Sequence, residues 1–333
     1  MKSIPDILRK NIKGDTLFDT FSKGLYSTDA SIYQIEPMGV VLPKTVDDIV
    51  NTLQIANQHS TSVTPRGAGT SQSGQSIGPG LVVDTSKHLN GFGEIDHQEN
   101  RIKVQPGVVL DHLNQFLKPH GLFFPVDVAT SSRATIGGMT ANNSAGSRSI
   151  KYGMMVDNVT SIQGLMADGT TVTFDMDTPT QGPELKIAQK LAALRRREGA
   201  ELEKRIPKVM RRVAGYNLDR VGEQGDRIPQ ILVGSEGTLS FFTEIELQLS
   251  QLPDHRVLGA CTFPSLEAAL NAVSHIVQLN PSAVELIDGA LIDLARDMPT
   301  LGTAIDQFVQ KDARAVLLVE FSCTGHNHLS AKL

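Results

Sequence analysis

The stretch PRGAGTSQSGQSIGPGLVVD, from Pro65 to Asp84, sets five glycines among small polar residues before turning into an apolar run. Glycine lacks a Cβ and accepts positive φ, so successive backbone N–H groups can converge on an anion. No G-K-[ST] follows and Lys87 lies too far along, which excludes a P-loop. No helical periodicity starts directly after the glycines, which excludes the dinucleotide fingerprint. Two readings stay open: a plain glycine-rich surface turn, or an extended diphosphate cradle lying between two strands. In the cradle, Arg66 either supports the loop or offsets phosphate charge, and Thr70 and Ser71 add hydroxyl donors.

A second stretch of the same texture runs from Pro125 to Gly153, PVDVATSSRATIGGMTANNSAGSRSIKYG. Its TIGG, Thr135 to Gly138, again permits close backbone approach, beside the hydroxyls of Ser131, Ser132 and Thr135. Asn142 and Asn143 add amides, and Gly146 ends the segment. GSEGTL, Gly234 to Leu239, supplies a third such site. Two such loops in one domain suit a long ligand carrying both a diphosphate and a polar ring system.

These loops need elements to hold them. TVDDIVNTLQIANQHS reads as a helix, with Thr45 and Asp48 as a capping box and Val46, Ile49, Val50 and Leu53 at helical spacing. A short strand, Ser60 to Thr64, feeds the first glycine loop, and Leu81 to Asp84 leaves it as another. RIKVQPGV alternates as a half-buried strand, and VLDHLNQFLKPHG is an amphipathic helix stopped by Pro119 and Gly121. NVTSIQGLMADGTTVTF reads as a hairpin turning at Asp168-Gly169. A linker, DTPTQGPEL, precedes the helix-prone KIAQKLAALRRREGAELEKRI, whose charges read as a solvated face. The strand after GSEGTL alternates Phe241, Ile245, Leu247 and Leu249 against polar residues. From about Pro253 the order becomes strand, helix, strand, with one more strand at ARAVLLVEFS. No closing element follows it, which reads as a domain cut short.

Composition bounds the function. The chain has 333 residues, 40% hydrophobic and 20% charged, with a net charge of −5. That balance suits an ordinary globular protein and gives no electrostatic reason to expect nucleic acid. No secretory signal or transmembrane segment is read in the sequence. Cys261 and Cys323 are too few for a disulfide framework or a cysteine-ligated cluster, and are expected as buried thiols in a reducing cytoplasm. His59, His88, His112 and His120 read as structural or solvent-facing. GHNH, Gly325 to His328, reads as a solvated terminus, Glu285 and Asp288 as solvated strand-end charges. No metal ligands and no catalytic residues are assigned.

The order PRGAGTS, TIGG with AGSRSIKYG, GYNLD, then GSEGTL resembles the FAD-linked oxidases of the vanillyl-alcohol oxidase type. The chain is most similar to D-lactate and D-2-hydroxyglutarate dehydrogenases, especially long members with an appended iron–sulfur domain. The resemblance runs from about Ile35 onward. It implies an α+β fold: a PCMH-type FAD-binding domain of two α+β subdomains, then an incomplete ferredoxin-like substrate domain. The expected boundaries are an extension at 1–34, the flavin domain at 35–252 with a charged helical insert at about 178–212, and the substrate domain at 253–333. By motif, Arg66, Gly67, Ala68, Gly69, Thr70 and Ser71 would hold the FAD pyrophosphate. Pro125, Asp127, Ser131, Thr135, Gly137, Gly138 and Gly146 would line the flavin and its ribityl chain. Gly234, Ser235, Glu236 and Gly237 would close the site. Members with covalent FAD carry histidine where this chain has Thr70, which implies non-covalent FAD. The family's metal-binding and catalytic histidines have no counterpart in this chain.

The implied activity is oxidation of a D-2-hydroxy acid by hydride transfer to flavin. The electron acceptor or iron–sulfur domain would lie elsewhere, with the protein in the cytoplasm or peripheral at the inner membrane through that partner. Two alternatives stay open. One is a flavin-binding fragment or partner-dependent subunit without turnover; the other is a different reaction on the same fold, sugar-lactone oxidation or ether-lipid synthesis.

Overall fold

Thr45 starts the first long helix, Val46–Gln58, by accepting a hydrogen bond from the Asp48 amide, as its sequence predicts. The second half of the expected capping box is absent. The buried Asp48 carboxylate instead accepts from the amides of Lys13, Gly14 and Lys44, at 2.8, 3.0 and 2.9 Å. Three backbone donors outcompete one at the cap, and they tie the N-terminal segment to the helix.

The computed structural model describes residues 3–324. They form two units, residues 3–124, 128–144 and 154–250 in the first and residues 125–127, 145–153 and 251–324 in the second. The first unit opens with strands β1 (Asp15–Leu17), β2 (Gly39–Leu42), β3 (Val63–Arg66) and β4 (Leu81–Asp84), in the order β1-β2-β4-β3. β2, β4 and β3 run parallel, and β2 and β4 are buried throughout. Side-chain alternation splits their residues between two faces. Val41, Leu81 and Val83 pack with Ile49, Leu53 and Ala56 of the long helix, and with Leu8 and Ile12. Val40, Leu42 and Val82 form the opposite cluster, with Leu17 and Tyr26 against it. Residues of the first 34 positions are thus part of both faces of this core.

The same unit holds β5 (Phe92–Asp96), β6 (Arg101–Val104), the short β7 (Leu122–Phe123), β8 (Val159–Leu165), β9 (Thr171–Phe174) and β10 (Phe241–Gln248). An antiparallel sheet runs β5-β6-β10-β8-β9. β8 and β9 form the expected hairpin, with Gly169 at φ +87° and Asp168 accepting from the Thr170 amide. The helix Leu110–Leu117 ends in a 3-10 turn through Pro119, and Gly121 follows at φ +68°.

After the short β11 (Ser250–Gln251) come β12 (His255–Phe263), β13 (Ala283–Asp288) and β14 (Ala315–Cys323). They form the second unit's sheet, order β12-β14-β13, fully antiparallel. The helix Leu266–Ile276, capped by Ser265, packs Ala269 against Ala315, Leu317 and Val319. Asp288, expected as a solvated charge, caps the next helix by accepting from the Leu291 amide at 2.9 Å. The expectation of two buried thiols is corrected. Cys261, on β12 at the edge of the described sheet, is exposed, and Cys323, at the end of the central β14, is half-buried. The GHNH segment lies outside the described residues. Among them, no helix is long and apolar enough to cross a membrane.

Candidate active site

The three glycine stretches meet within the first unit. A Cβ on Gly67 would overlap Thr135 Oγ1, so the start of the first loop lies directly against the cap of the second. Thr135 is buried and caps the helix Ile136–Asn142 by accepting from the Gly138 amide. The third loop docks on the other end of that helix. Gly234 and Glu236 donate their amides to the carbonyls of Thr140 and Ala141, both at 2.9 Å. Those carbonyls sit in the helix's last turn, where i+4 partners run out; the Thr140 carbonyl also accepts from the Asn143 amide at 3.2 Å. The docking bends the third loop through three positive φ values, at Gly234, Glu236 and Gly237. A Cβ on Gly237 would stand 3.0 Å from Pro65 Cγ, so the third loop also abuts the entry of the first.

One carboxylate joins all three. Glu236 accepts from Asn142 Nδ2 at 3.0 Å and from Gln75 Nε2 at 3.4 Å. Burial pushes its carboxyl above the usual range, and the two amide donors oppose that push. Gln75 was not among the residues singled out by motif, although it lies inside the quoted glycine stretch. Its role depends on a partner 161 positions away, which spacing cannot reveal.

Arg66 braces the loop. It donates to the carbonyls of Thr28 (2.9 Å), Ser76 (3.3 Å) and Tyr26 (3.4 Å), and its guanidinium lies over the Tyr26 ring. Burial holds the guanidinium below its ordinary value, while Asp84 pulls the other way. Asp84 in turn accepts from the Tyr26 hydroxyl at 2.7 Å. Of the two roles open at the outset, support of the turn has the geometry behind it. Arg66→Met should lower stability by about 3 kcal/mol, since bonds from a charged donor to three carbonyls are lost. A denaturation midpoint equal to wild type would contradict this.

With Arg66 occupied and the Ser71 hydroxyl donating to Gln75 Oε1, the donors left to the first loop are its amides and the Thr70 hydroxyl. Among the described residues, the N–H groups of Gly67, Ala68, Gly69, Thr70 and Ser71 make no intramolecular hydrogen bond. They lie in half-buried to exposed positions, Gly69 is at φ +68°, and its carbonyl is held by the Ala30 amide. Five consecutive free donors are what an anion cradle requires. Ser235 Oγ nearby in sequence to Glu236 is fully buried and, among the described residues, has no partner. Ser131 and Gly137 support the same region through backbone bonds, to the Asp111 amide and the Pro106 carbonyl.

Pro125, Asp127 and Gly146 belong to the second unit. There Asp127 accepts from Ser147 Oγ at 2.6 Å and the Arg148 amide at 3.0 Å, and Gly146 packs so closely on Asp127 that no Cβ would fit.

Residues 37–175 match the family model described as FAD binding domain, and residues 252–333 match FAD linked oxidases, C-terminal domain. The chain is 33% identical to a D-2-hydroxyglutarate dehydrogenase of Haemophilus influenzae, over 97% of this chain and 33% of that protein. It is 30% identical to a mitochondrial cytochrome-type D-lactate dehydrogenase of Arabidopsis thaliana, over 76% of this chain and 37% of that one. Its fold matches a solved alkyldihydroxyacetonephosphate synthase with a TM-score of 0.71 at 18% identity, covering 97% of this chain and 57% of that chain. The chain spans about a third of the length of the D-2-hydroxyglutarate dehydrogenase it matches. With both domain types in order over two mixed α+β units, and three glycine loops gathered in the first, the chain belongs to the FAD-linked oxidase family.

Proposed function

We propose that this chain is the flavin-binding part of an FAD-dependent dehydrogenase acting on a D-2-hydroxy acid of the lactate or hydroxyglutarate class. The observation that carries this reading is the run of unbonded amides from Gly67 to Ser71, set directly against the Thr135 cap. Such a row suits a diphosphate, and the buried, unpartnered Ser235 hydroxyl offers one more donor to a ligand held by the same loops. When bound, FAD supplies a ring that accepts the hydride from the hydroxyl-bearing carbon.

The protein's own residues divide the remaining work. The amides of Gly67 to Ser71 hold the pyrophosphate, and Arg66 keeps that loop in shape from behind. Thr135, Gly137, Gly138 and Ser131 line the polar chain, with Pro125, Asp127 and Gly146 assigned to the flavin lining by motif. Gly234 to Gly237 close the site, with Glu236 latching the loops together through Gln75 and Asn142. Relatives named for D-2-hydroxyglutarate and D-lactate support the substrate class. Reoxidation falls to an acceptor protein or an appended iron–sulfur domain, since two cysteines cannot ligate a cluster. Its place is the cytoplasm, or the inner-membrane surface through that acceptor.

Thr70 stands where covalent relatives carry histidine, so the flavin is held without a covalent bond. Acid precipitation should therefore release the colour into the supernatant, and colour left on the pellet would overturn this. The activity is tested, on a full-length version that carries the remaining domains, by anaerobic bleaching of the flavin with D-2-hydroxyglutarate, D-lactate and glycolate. Bleaching by none of the three would remove the substrate assignment.

A further inference from the structure

Positive charge in this chain is concentrated. Residues 195–212 carry eight Lys and Arg against three Glu, a net of +5 within a chain of net −5. Much of this run is a solvated surface, with Arg197–Glu198, Arg205–Glu201 and Lys208–Glu203 pairing in the open. Arg195 differs. Along the helix Gly182–Arg205 the inward stripe runs Ala188, Ala192, Arg195, Gly199, Leu202, at spacings of four, three, four and three. Arg195 thus places a guanidinium where the pattern calls for an apolar or small side chain. Its Nε is fully buried and, among the described residues, has no hydrogen-bond partner. Nor does any described carboxylate lie within ion-pairing distance of it.

Arg195 lines a cavity of about 250 Å³ inside the first unit, between the helix and the segment that follows it. Lys208, Arg212 and Arg220 line it too. Asp219 neutralises Arg212 at 2.7 Å, and Asp157 neutralises Arg220 at 2.9 Å. Glu203 also lines the cavity and pairs with Lys208, and the charge of Arg195 reaches it without an ion pair; Arg195 is the lining cation with no carboxylate in pairing distance. A buried Nε–H left without an acceptor is costly, and the planar fork that carries it suits oxyanions.

We propose that this cavity binds a small polyvalent oxyanion, inorganic phosphate or a short di- or tricarboxylate, with Arg195 as the principal donor. The volume lies below the usual range for organic cofactors, roughly 300–1,000 Å³, which argues against a nucleotide. The walls connect to the candidate active site. Asn143 donates to the Arg212 carbonyl at 3.3 Å, Asn217 donates to the Val233 carbonyl at 2.9 Å, and Tyr216 bonds Thr238 at 2.7 Å. An anion spanning the helix and this wall would tie both to the third glycine loop, so its binding raises the stability of the unit.

Thermal denaturation of the purified chain, with phosphate, succinate or citrate titrated at ionic strength held constant by sodium chloride, tests the proposal. A saturable rise in midpoint with phosphate alone identifies phosphate, and a rise with the carboxylates identifies those. Arg195→Gln should weaken the half-saturating concentration about tenfold or more. Lys208→Gln, at an exposed position that folding does not need, should weaken it by a smaller factor. The proposal is overturned if no probe exceeds sodium chloride at matched ionic strength, or if both variants respond like wild type.

Discussion

Gly69→Val should purify as a colourless protein. Gly69 sits at φ +68°, a region that costs an ordinary residue about 1–2 kcal/mol and a β-branched one more. Its Cβ would also stand 2.5 Å from Arg66 Nη2 and 3.0 Å from Cζ. The guanidinium would have to move, releasing the carbonyls of Thr28, Ser76 and Tyr26 that fix the loop. The amide row from Gly67 to Ser71 would lose its shape while the core behind it, β2 to β4, stays packed. Loss of flavin absorbance with retained far-UV circular dichroism is therefore the expected result. Gly121→Val is the control: it shares φ +68° but has no atom within 4 Å of its Cβ, so it carries the strain alone. A flavin-to-protein ratio in Gly69→Val equal to that of Gly121→Val and wild type would show that the loop does not cradle the cofactor.

The contrast between these two glycines also shows what a sequence makes legible. Glycine's freedom is a local property, so loops rich in it can be found from residue types alone, and so can the strands on either side. Thr45, the Asp168-Gly169 hairpin and the stop at Gly121 are local in the same sense, and each lies where its chemistry predicts. What stays hidden is any partner chosen by tertiary folding. Arg66 reads equally well as a phosphate ligand or a brace until the carbonyls of Thr28 and Tyr26 come within reach. Those two come from the first 34 residues, which read as an extension in the sequence and fold into the core of the first unit. Asp48 reads as half of a capping box, because its three actual donors include two from positions 13 and 14. The charge run around Arg195 reads as a uniform solvated face, since periodicity weighs eight cations together and one buried nitrogen is lost among them. Asp127 and Gly146 were grouped by motif and do lie together, yet the carboxylate's bonds go to Ser147 and Arg148.

Arg148 bears the second large expectation. It holds together three separate pieces of the second unit: Asp127 from residues 125–127, its own segment at 145–153, and Glu320 on β14. Its Nε and Nη2 donate to the two oxygens of Glu320 at 3.1 and 3.0 Å, a bidentate geometry, with the side chains 24% and 15% exposed. That exposure lies between a surface pair and a buried one, so Arg148→Met should cost about 2–3 kcal/mol near neutral pH. The pH dependence identifies the cause. Burial pushes the Glu320 carboxyl up, but the Arg148 hydrogen bonds and charge outweigh it and leave it below its ordinary 4.5. A folded-state value below the unfolded one contributes stability that is present above about pH 4.5 and is lost as pH falls through the folded value. In Arg148→Met the burial, the largest influence, remains, while only the weaker charges of Arg256 and Lys151 still oppose it, so the carboxyl shifts upward and the sign reverses. The variant should then gain stability from this group as the solution is acidified from neutral toward pH 4.5, where wild type gains none. Urea unfolding of both proteins across that interval reads the difference directly. Parallel curves, offset but equal in slope, would mean that Arg148 supports the unit by packing alone and that its pairing with Glu320 contributes nothing.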